Sequence, residues 1–404
     1  MTVSEGFKTV RASELLPQEE KLEVKSKNAS LFIGIPKEDF RYERRIGLTP
    51  DAVKLLVNNG HRIRIETGAG AGAKYTDHDF SEAGAEICYD KKQIFEADLI
   101  FKVAPPTFEE IELMKPKQNL ISAVQIKSQT KAFFEKLQAK KITALSFDYL
   151  TDEYGIYPVV RSMSEIAGST SILLAAELLS SANKGKGLLL GGISGVPPTE
   201  VLILGAGNAG EFAVRAAMGM GASVKIFDNS TYRLRRLQND VHARLYTCII
   251  QPDILKKHLR RADVVIGAIR SEAGRTPCVV SEDMVEVMKP GSVLVDISID
   301  QGGVFETSEI TTHEKPTFVK HDVVHYCVPN IPSRVARTAS FAISNIFAPL
   351  LLDAGNEGGM EALIKNNKGV RSGTILYQGI FTHRVIGDWF GLPYKSLELI
   401  MAAI

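Results

Sequence analysis

The chain has 404 residues, 45% hydrophobic and 24% charged, with 48 basic residues against 47 acidic ones. That length exceeds one ordinary core and predicts two domains, and a net charge of +1 leaves no basic footprint for nucleic acid. The four cysteines (Cys88, Cys248, Cys278, Cys327) have neither metal nor redox spacing and the eight histidines form no HxxxH-type cluster, so reduced thiols, a cytoplasmic protein and no metal site are expected.

Residues 1–30 are charged, lack the basic-then-apolar order of a signal peptide, and read as an N-terminal arm. The run Ala339 to Leu352 is apolar but short for a bilayer span, so no membrane is expected. From residue 31 the pattern is α/β. LFIGIP is a strand. TPDAVKLLVNNGH is an amphipathic helix, with Thr49 as N-cap, Pro50 at the first helical position and Gly60 as the stop. RIRIETG alternates as a strand does. A helix follows near Asp77–Gly84, then ADLIFKV (strand), FEEIELM (helix), NLISAVQ (strand), TKAFFEKLQAKK (helix) and ITALSF (strand). Alternation of this kind predicts a mostly parallel sheet, complete near residue 155. A long helix starts at Ser164 in SEIAGSTSILLAAELLSSANKGKG, and GLLLGGISGVPP connects it to a second α/β unit.

The second unit opens on VLILGAGNAGEFAVRAAMGMGASVKIFDNS. Gly205, Gly207 and Gly210 stand in GxGxxG spacing between a strand and a helix. The first glycine permits the tight turn, the second lets backbone approach a pyrophosphate, and the third lets helix and strand pack closely. Asn208 and Ala209 open the helix, whose N–H groups face the anion. Asp228 closes the next strand, about 20 residues on, where a carboxylate accepts from ribose hydroxyls, and no arginine adjoins it. That selects NAD over NADP. Arg233, Arg235 and Arg236 read either as a solvated helix face or as a contact to the adenosine end; Arg233 is the candidate. Later strands are ADVVIGAI, GSVLVDISID and HYCVPN. Ligands sit beyond the carboxyl ends of such strands. Asp300, at one such end, is a site candidate or else a carboxylate capping the following turn.

Several stretches resemble the alanine dehydrogenase / NAD(P) transhydrogenase α-subunit family: GIPKEDFRYERRIGLTP, ETGAGAGAKYTDHDF, RSMSEIAG, VLILGAGNAG, KPGSVLVDISIDQGG and YCVPNIPSRVARTAS. The series IDQGG, THEKPTF and YCVPN is nearer the dehydrogenases. The resemblance implies two Rossmann-like, doubly wound parallel-sheet domains. A discontinuous substrate domain (31–160 and 337–404) would flank an NAD-binding domain (161–336). It implies oxidation of an α-amino acid, alanine by default, to the 2-oxo acid and ammonia by hydride transfer to NAD. It also implies a homo-oligomer, a hexamer or else a dimer.

Carried over residue by residue, the resemblance makes Arg45 the holder of the substrate carboxylate and Asp300 the group that orients substrate and water. Ser164 lies near the cofactor phosphates, Asn330 near the nicotinamide, and Asp228 on the ribose. Two positions depart from the pattern. Ala104 stands in KVAPP where the dehydrogenases have a substrate lysine, and Gln125 stands in LISAVQIK where they have an acid/base histidine. A glutamine side chain exchanges no proton near neutral pH. If the strand continues, Lys127 lies on the same face as Gln125 and is a substitute ligand, or else a surface lysine. His325 is a substitute base or a satisfied strand-end histidine. Arg334 and Arg337 bind an anion or cap a helix. The departures keep three other readings open: a transhydrogenase-like NAD(H)-binding component, an amino-acid or opine-type dehydrogenase with another substrate, and a binding protein without catalysis.

Overall fold

The structure, a computed structural model, describes residues 29–183, 185–270 and 275–402, so nearly all of the expected N-terminal arm lies outside the described residues. The first sheet takes β1 (Phe32–Ile35), β2 (Arg62–Glu66), β3 (Glu86–Cys88), β4 (Leu99–Phe101), β5 (Asn119–Ser122) and β6 (Thr143–Ser146). The second takes β7 (Glu200–Leu204), β8 (Ser223–Phe227), β9 (Tyr246–Cys248), β10 (Val264–Gly267), β11 (Val293–Asp296), β12 (Thr317–Lys320) and β13 (Val323–Tyr326). β14 (Thr374–Tyr377) and β15 (Ile380–Phe381) then return to the first sheet.

The strand orders are β15-β14-β6-β5-β4-β1-β2-β3 and β12-β13-β11-β10-β7-β8-β9. Pairing is parallel except for β14 and β15 in one sheet and β12 in the other. Each sheet reverses direction beside its own first strand, where β1 lies between β2 and β4, and β7 between β8 and β10. Both domains are therefore doubly wound, and each has a crevice at the carboxyl ends of its strands. Strands buried on both faces explain the unbroken apolar runs: β10 and β11 are buried throughout.

A long helix ties the domains. α1 (Pro158–Leu178) has Val159 in the core of the first domain and Ala167, Ile172 and Leu174 in that of the second. It begins six residues before the expected start at Ser164, because Pro158 suits the first helical position. α2 (Asn208–Gly219) packs on α1, and the contact is close: a Cβ on Gly168 would lie 2.1 Å from the Ala209 carbonyl oxygen. α3 (Ala336–Glu357) lays Ile343, Phe347 and Leu351 in the first core. With the 3-10 turn before it, Ile331–Glu357 is long and apolar enough to cross a membrane, a test that core helices also pass.

Candidate active site

The glycine turn is built as its spacing demands. Gly205 has φ +108°, and a Cβ there would lie 2.5 Å from the Ala268 carbonyl oxygen; one on Gly210 would lie 1.8 Å from the Gly205 carbonyl oxygen. Gly207 is the N-cap of α2 and has nothing within 4 Å of the place of its missing Cβ. Two of the three glycines are thus required by packing, and the third leaves space at a helix N-terminus, which fits a phosphate group. Asp228 is buried at the end of β8. Its Oδ2 accepts the Ala206 N–H at 2.7 Å and its Oδ1 accepts the Ser230 N–H at 2.7 Å. The same carboxylate expected on a ribose also pins the turn. These residues fit a dinucleotide.

Ser164 spends its hydroxyl on the Val160 carbonyl, 2.8 Å away and one helical turn back. Arg233 is exposed on the helix after Ser230, whose side chain caps that helix.

The opposite wall is the loop 36–49 after β1. Arg45 is buried and paired with Glu43, its Nε 2.8 Å from Oε1 and its terminal nitrogen 2.6 Å from Oε2. A second terminal nitrogen faces the Met163 sulfur at 3.1 Å. Burial would raise the Glu43 pKa, but the Arg45 charge and hydrogen bonds outweigh it and hold the carboxyl low. Asn330, with φ 59°, donates from Nδ2 to Glu43 Oε2 at 2.8 Å and so joins the second domain to this pair. The Arg44 N–H donates to Ser333 Oγ at 2.7 Å, seating the loop against the second domain, and the Ile46 N–H donates to Ser340 Oγ at 2.9 Å, tying it to α3 of its own domain.

Asp300 is not on a strand. β11 ends at Asp296, and residues Ile297–Gln301 form a single 3-10 turn closed by Gly302 at φ 101°. The turn exists because Asp296 folds its carboxylate back onto the N–H groups of Ser298 and Val304, at 3.0 and 2.9 Å, and onto the Ser308 hydroxyl at 2.7 Å. The carboxylate that caps this turn is Asp296, not Asp300. Asp300 projects into the cleft, open to water on one side and hemmed by protein on the others. That loss of bulk solvent pushes its pKa up to about 6, while the Asn330 N–H and the Arg45 charge pull it down and Asp296 and Asp148 push it further up.

Gln125 lies in the left-handed region at φ 50°, outside β5, and begins a 3-10 turn at Ile126–Ser128. The expected strand through this residue does not form, so alternation places nothing at 127; the Lys127 side chain lies outside the described residues. Gln125 instead donates its N–H to Asp148 Oδ2 at 2.9 Å. Ala104 presents only backbone, its N–H reaching Glu38 Oε1 at 3.3 Å. Lys102 is buried between Glu38 and Glu110 at 2.9 and 3.2 Å, which hold it protonated against the effect of burial. His325 is not a base: it is buried, with Nε2 2.8 Å from the Thr307 hydroxyl, Nδ1 2.9 Å from the Val323 carbonyl oxygen and its ring stacked on Phe318. Arg334 pairs with Glu177 at 3.1 Å, and Arg337 donates to the Lys74 carbonyl at 2.9 Å.

Sequence reasoning missed Glu43, Asp148 and His313. Glu43 precedes Arg45 by two residues, a spacing that puts both on one side of an extended segment. Asp148 follows the last residue of β6 by two, at the carboxyl edge. His313 has both ring nitrogens buried without a hydrogen bond among the described residues, and burial, with the Arg44 charge, lowers its pKa against the pull of Glu43.

Two doubly wound sheets, a glycine turn that fits a dinucleotide and a buried carboxylate–guanidinium pair fit a two-domain α/β oxidoreductase. The descriptions "Alanine dehydrogenase/PNT, N-terminal domain" and "Alanine dehydrogenase/PNT, C-terminal domain" match residues 34–167 and 171–384. "Alanine dehydrogenase 2" of Staphylococcus aureus (strain USA300) is 38% identical over 91% of this chain and 98% of its own. A solved L-alanine dehydrogenase superposes with TM-score 0.83 at 34% identity, over 88% of this chain and 98% of that one. A transhydrogenase from Sinorhizobium meliloti superposes with TM-score 0.74 at 23% identity, over 87% of this chain and 99% of that one, a likeness of fold. The chain belongs to the alanine dehydrogenase/PNT family.

Proposed function

We propose that the protein is an NAD-dependent dehydrogenase that converts L-alanine to pyruvate and ammonia, reversibly. The observation that carries this reading is the electrostatic reach of Arg45 to Asp300, from opposite domains, together with the open glycine turn at the start of α2. Gly205, Gly207, Gly210, Asn208 and Ala209 would hold the pyrophosphate and Asp228 the ribose, with NAD favoured because no arginine adjoins Asp228. Bound there, the dinucleotide supplies the hydride acceptor. Arg45 orients the substrate carboxylate, held in place by Glu43 and Asn330 so that little freedom is lost on binding. Asp300 takes a proton when ionised. Purified protein given L-alanine and NAD should form NADH, and Asp300→Asn should slow it about 10²- to 10⁴-fold; absence of NADH with the wild type would overturn the reading.

A second reading, a dehydrogenase for another amino or imino acid, draws on Ala104 and Gln125, which leave the first-domain wall without the family's lysine and histidine. A panel of amino acids and 2-oxo acids separates the two: activity only with substrates other than alanine selects this one.

A further inference from the structure

We infer that Asp148 is a second proton-handling residue of the site, working across the cleft from Asp300; this rests on the dehydrogenase reading above. Oxidation of an amino acid by hydride loss moves protons as well. The substrate ammonium must lose one before hydride can leave Cα. Water must lose one as it adds to the resulting iminium carbon, and the departing nitrogen must regain one. Asp300 stands on the second-domain side. On the first-domain side, the side chain at 125 is an amide that exchanges no proton. The group immediately behind it is a carboxylate.

The placement of Asp148 is specific. It lies two residues beyond β6, half-buried, at the carboxyl edge where the cleft opens. Its Oδ2 accepts the Gln125 N–H at 2.9 Å and the Ser146 hydroxyl at 3.4 Å. The left-handed backbone at Gln125, φ 50°, makes the first bond possible, and non-glycine residues enter that region only under local constraint. Among the described residues Oδ1 makes no hydrogen bond. The charged and titratable groups around it come from every wall of the cleft: Arg45 from the β1 loop, Arg270 from the segment after β10, Asp300 from the turn after β11, and its neighbour Tyr149. Burial raises its pKa, partly offset by the Gln125 and Ser146 bonds and the two arginines. Asp148 in turn raises the pKa of Asp300. Two carboxylates from two domains, each made more basic than usual, lie within electrostatic reach of the Arg45 guanidinium, and Asp148 within reach of Asp300.

The step balances as follows. An N–H bond of the substrate ammonium breaks and an O–H bond forms on Asp148. Hydride leaves Cα with its electron pair for the bound dinucleotide, and the carbon–nitrogen double bond forms. Water adds to that carbon while its proton passes to Asp300. The C–N bond then breaks, Asp148 returns its proton to nitrogen, and ammonia departs. The hydroxyl proton and the one on Asp300 pass to solvent, leaving the 2-oxo acid.

Asp148→Asn keeps the size of the side chain and an oxygen for the Gln125 N–H. With L-alanine its turnover should fall about 100-fold or more, with KM changed little. NADH binding, read by fluorescence, and the melting temperature should stay near wild type, and Asp148→Glu should recover part of the turnover. In the wild type the acid limb of log kcat/KM against pH should steepen towards a slope of two, and in Asp148→Asn it should fall to one. Turnover in Asp148→Asn within threefold of wild type, or a wild-type slope of one, overturns the assignment. A wild type that oxidises no amino acid overturns the dehydrogenase reading, and this inference with it. An active wild type with an indifferent Asp148→Asn overturns the inference alone.

Discussion

The two domains wind their sheets alike and use the carboxyl end of the first strand in opposite ways. After β7 the chain turns through Gly205, Ala206 and Gly207 directly into α2, and the space beside Gly207 stays open. After β1 it takes the whole of 36–49 before a helix starts at Pro50, and that loop fills its crevice with the buried pairs Arg45–Glu43 and Lys102–Glu38. One end offers bare N–H groups to an anion; the other offers fixed side-chain charge. The lesson is that a shared topology locates a site without setting its chemistry, which the first βα connection decides.

The largest effect should come where the two ends meet. Asp300→Asn should lower turnover about 10²- to 10⁴-fold with NADH affinity kept, and steady-state kinetics beside a binding titration checks it. The side-chain end should be sensitive to charge: Glu43→Gln leaves Arg45 buried and unpaired and should cost about 3–5 kcal/mol of stability. Replacing both Glu43 and Arg45 with leucine should cost less in urea unfolding than Glu43→Gln alone while still abolishing substrate binding. The backbone end should be sensitive to volume. Gly168→Ala puts a methyl 2.1 Å from the Ala209 carbonyl oxygen and should destabilise by about 1–3 kcal/mol. Gly207→Ala meets nothing within 4 Å, so the melt should move by no more than about 0.5 kcal/mol while cofactor affinity drops. Equal stability losses at 168 and 207 would erase the contrast.

The smallest expected effect is the pH dependence of stability from Asp300. Its pKa rises from 3.8 unfolded to about 6 folded, so the folded state holds the proton more tightly. The stability this gives is complete below the unfolded value and is lost as pH rises through about 6. Asp300→Asn should therefore melt higher relative to wild type at pH 8 than at pH 5. A difference in melting temperature that is flat across that range would show the group to be well solvated. Activity should run the other way, kcat/KM falling below about pH 6 as Asp300 takes up its proton.

Much of this was legible in the residues. Alternating apolar strands and amphipathic helices set the α/β class, because periods of 2 and 3.6 are local properties. GAGNAG and Asp228 marked the tight strand-to-helix turn, since its requirements are those of the backbone itself. The short edge strands β3, β9 and β12 escaped notice for want of enough residues to show a period. GSVLVDISID was overrun as a strand to 300 because apolar residues look alike in a strand and in a 3-10 turn. What ends β11 is a single carboxylate, Asp296, bonded to residues as far on as Ser308.

The residues alone carried the two-unit architecture, the glycine turn and the place of Asp300 at a strand end, because each follows from local pattern or backbone logic, while the candidacy of Arg45 came through a family resemblance. The folded arrangement alone shows which groups come together: Glu43 on Arg45, Asn330 reaching across to Glu43, Asp148 behind Gln125, and β14 and β15 closing the first sheet. Those partners are tens to hundreds of residues apart or lie on turns without a period, and burial, which sets their pKa values, is a property of the whole fold rather than of any segment.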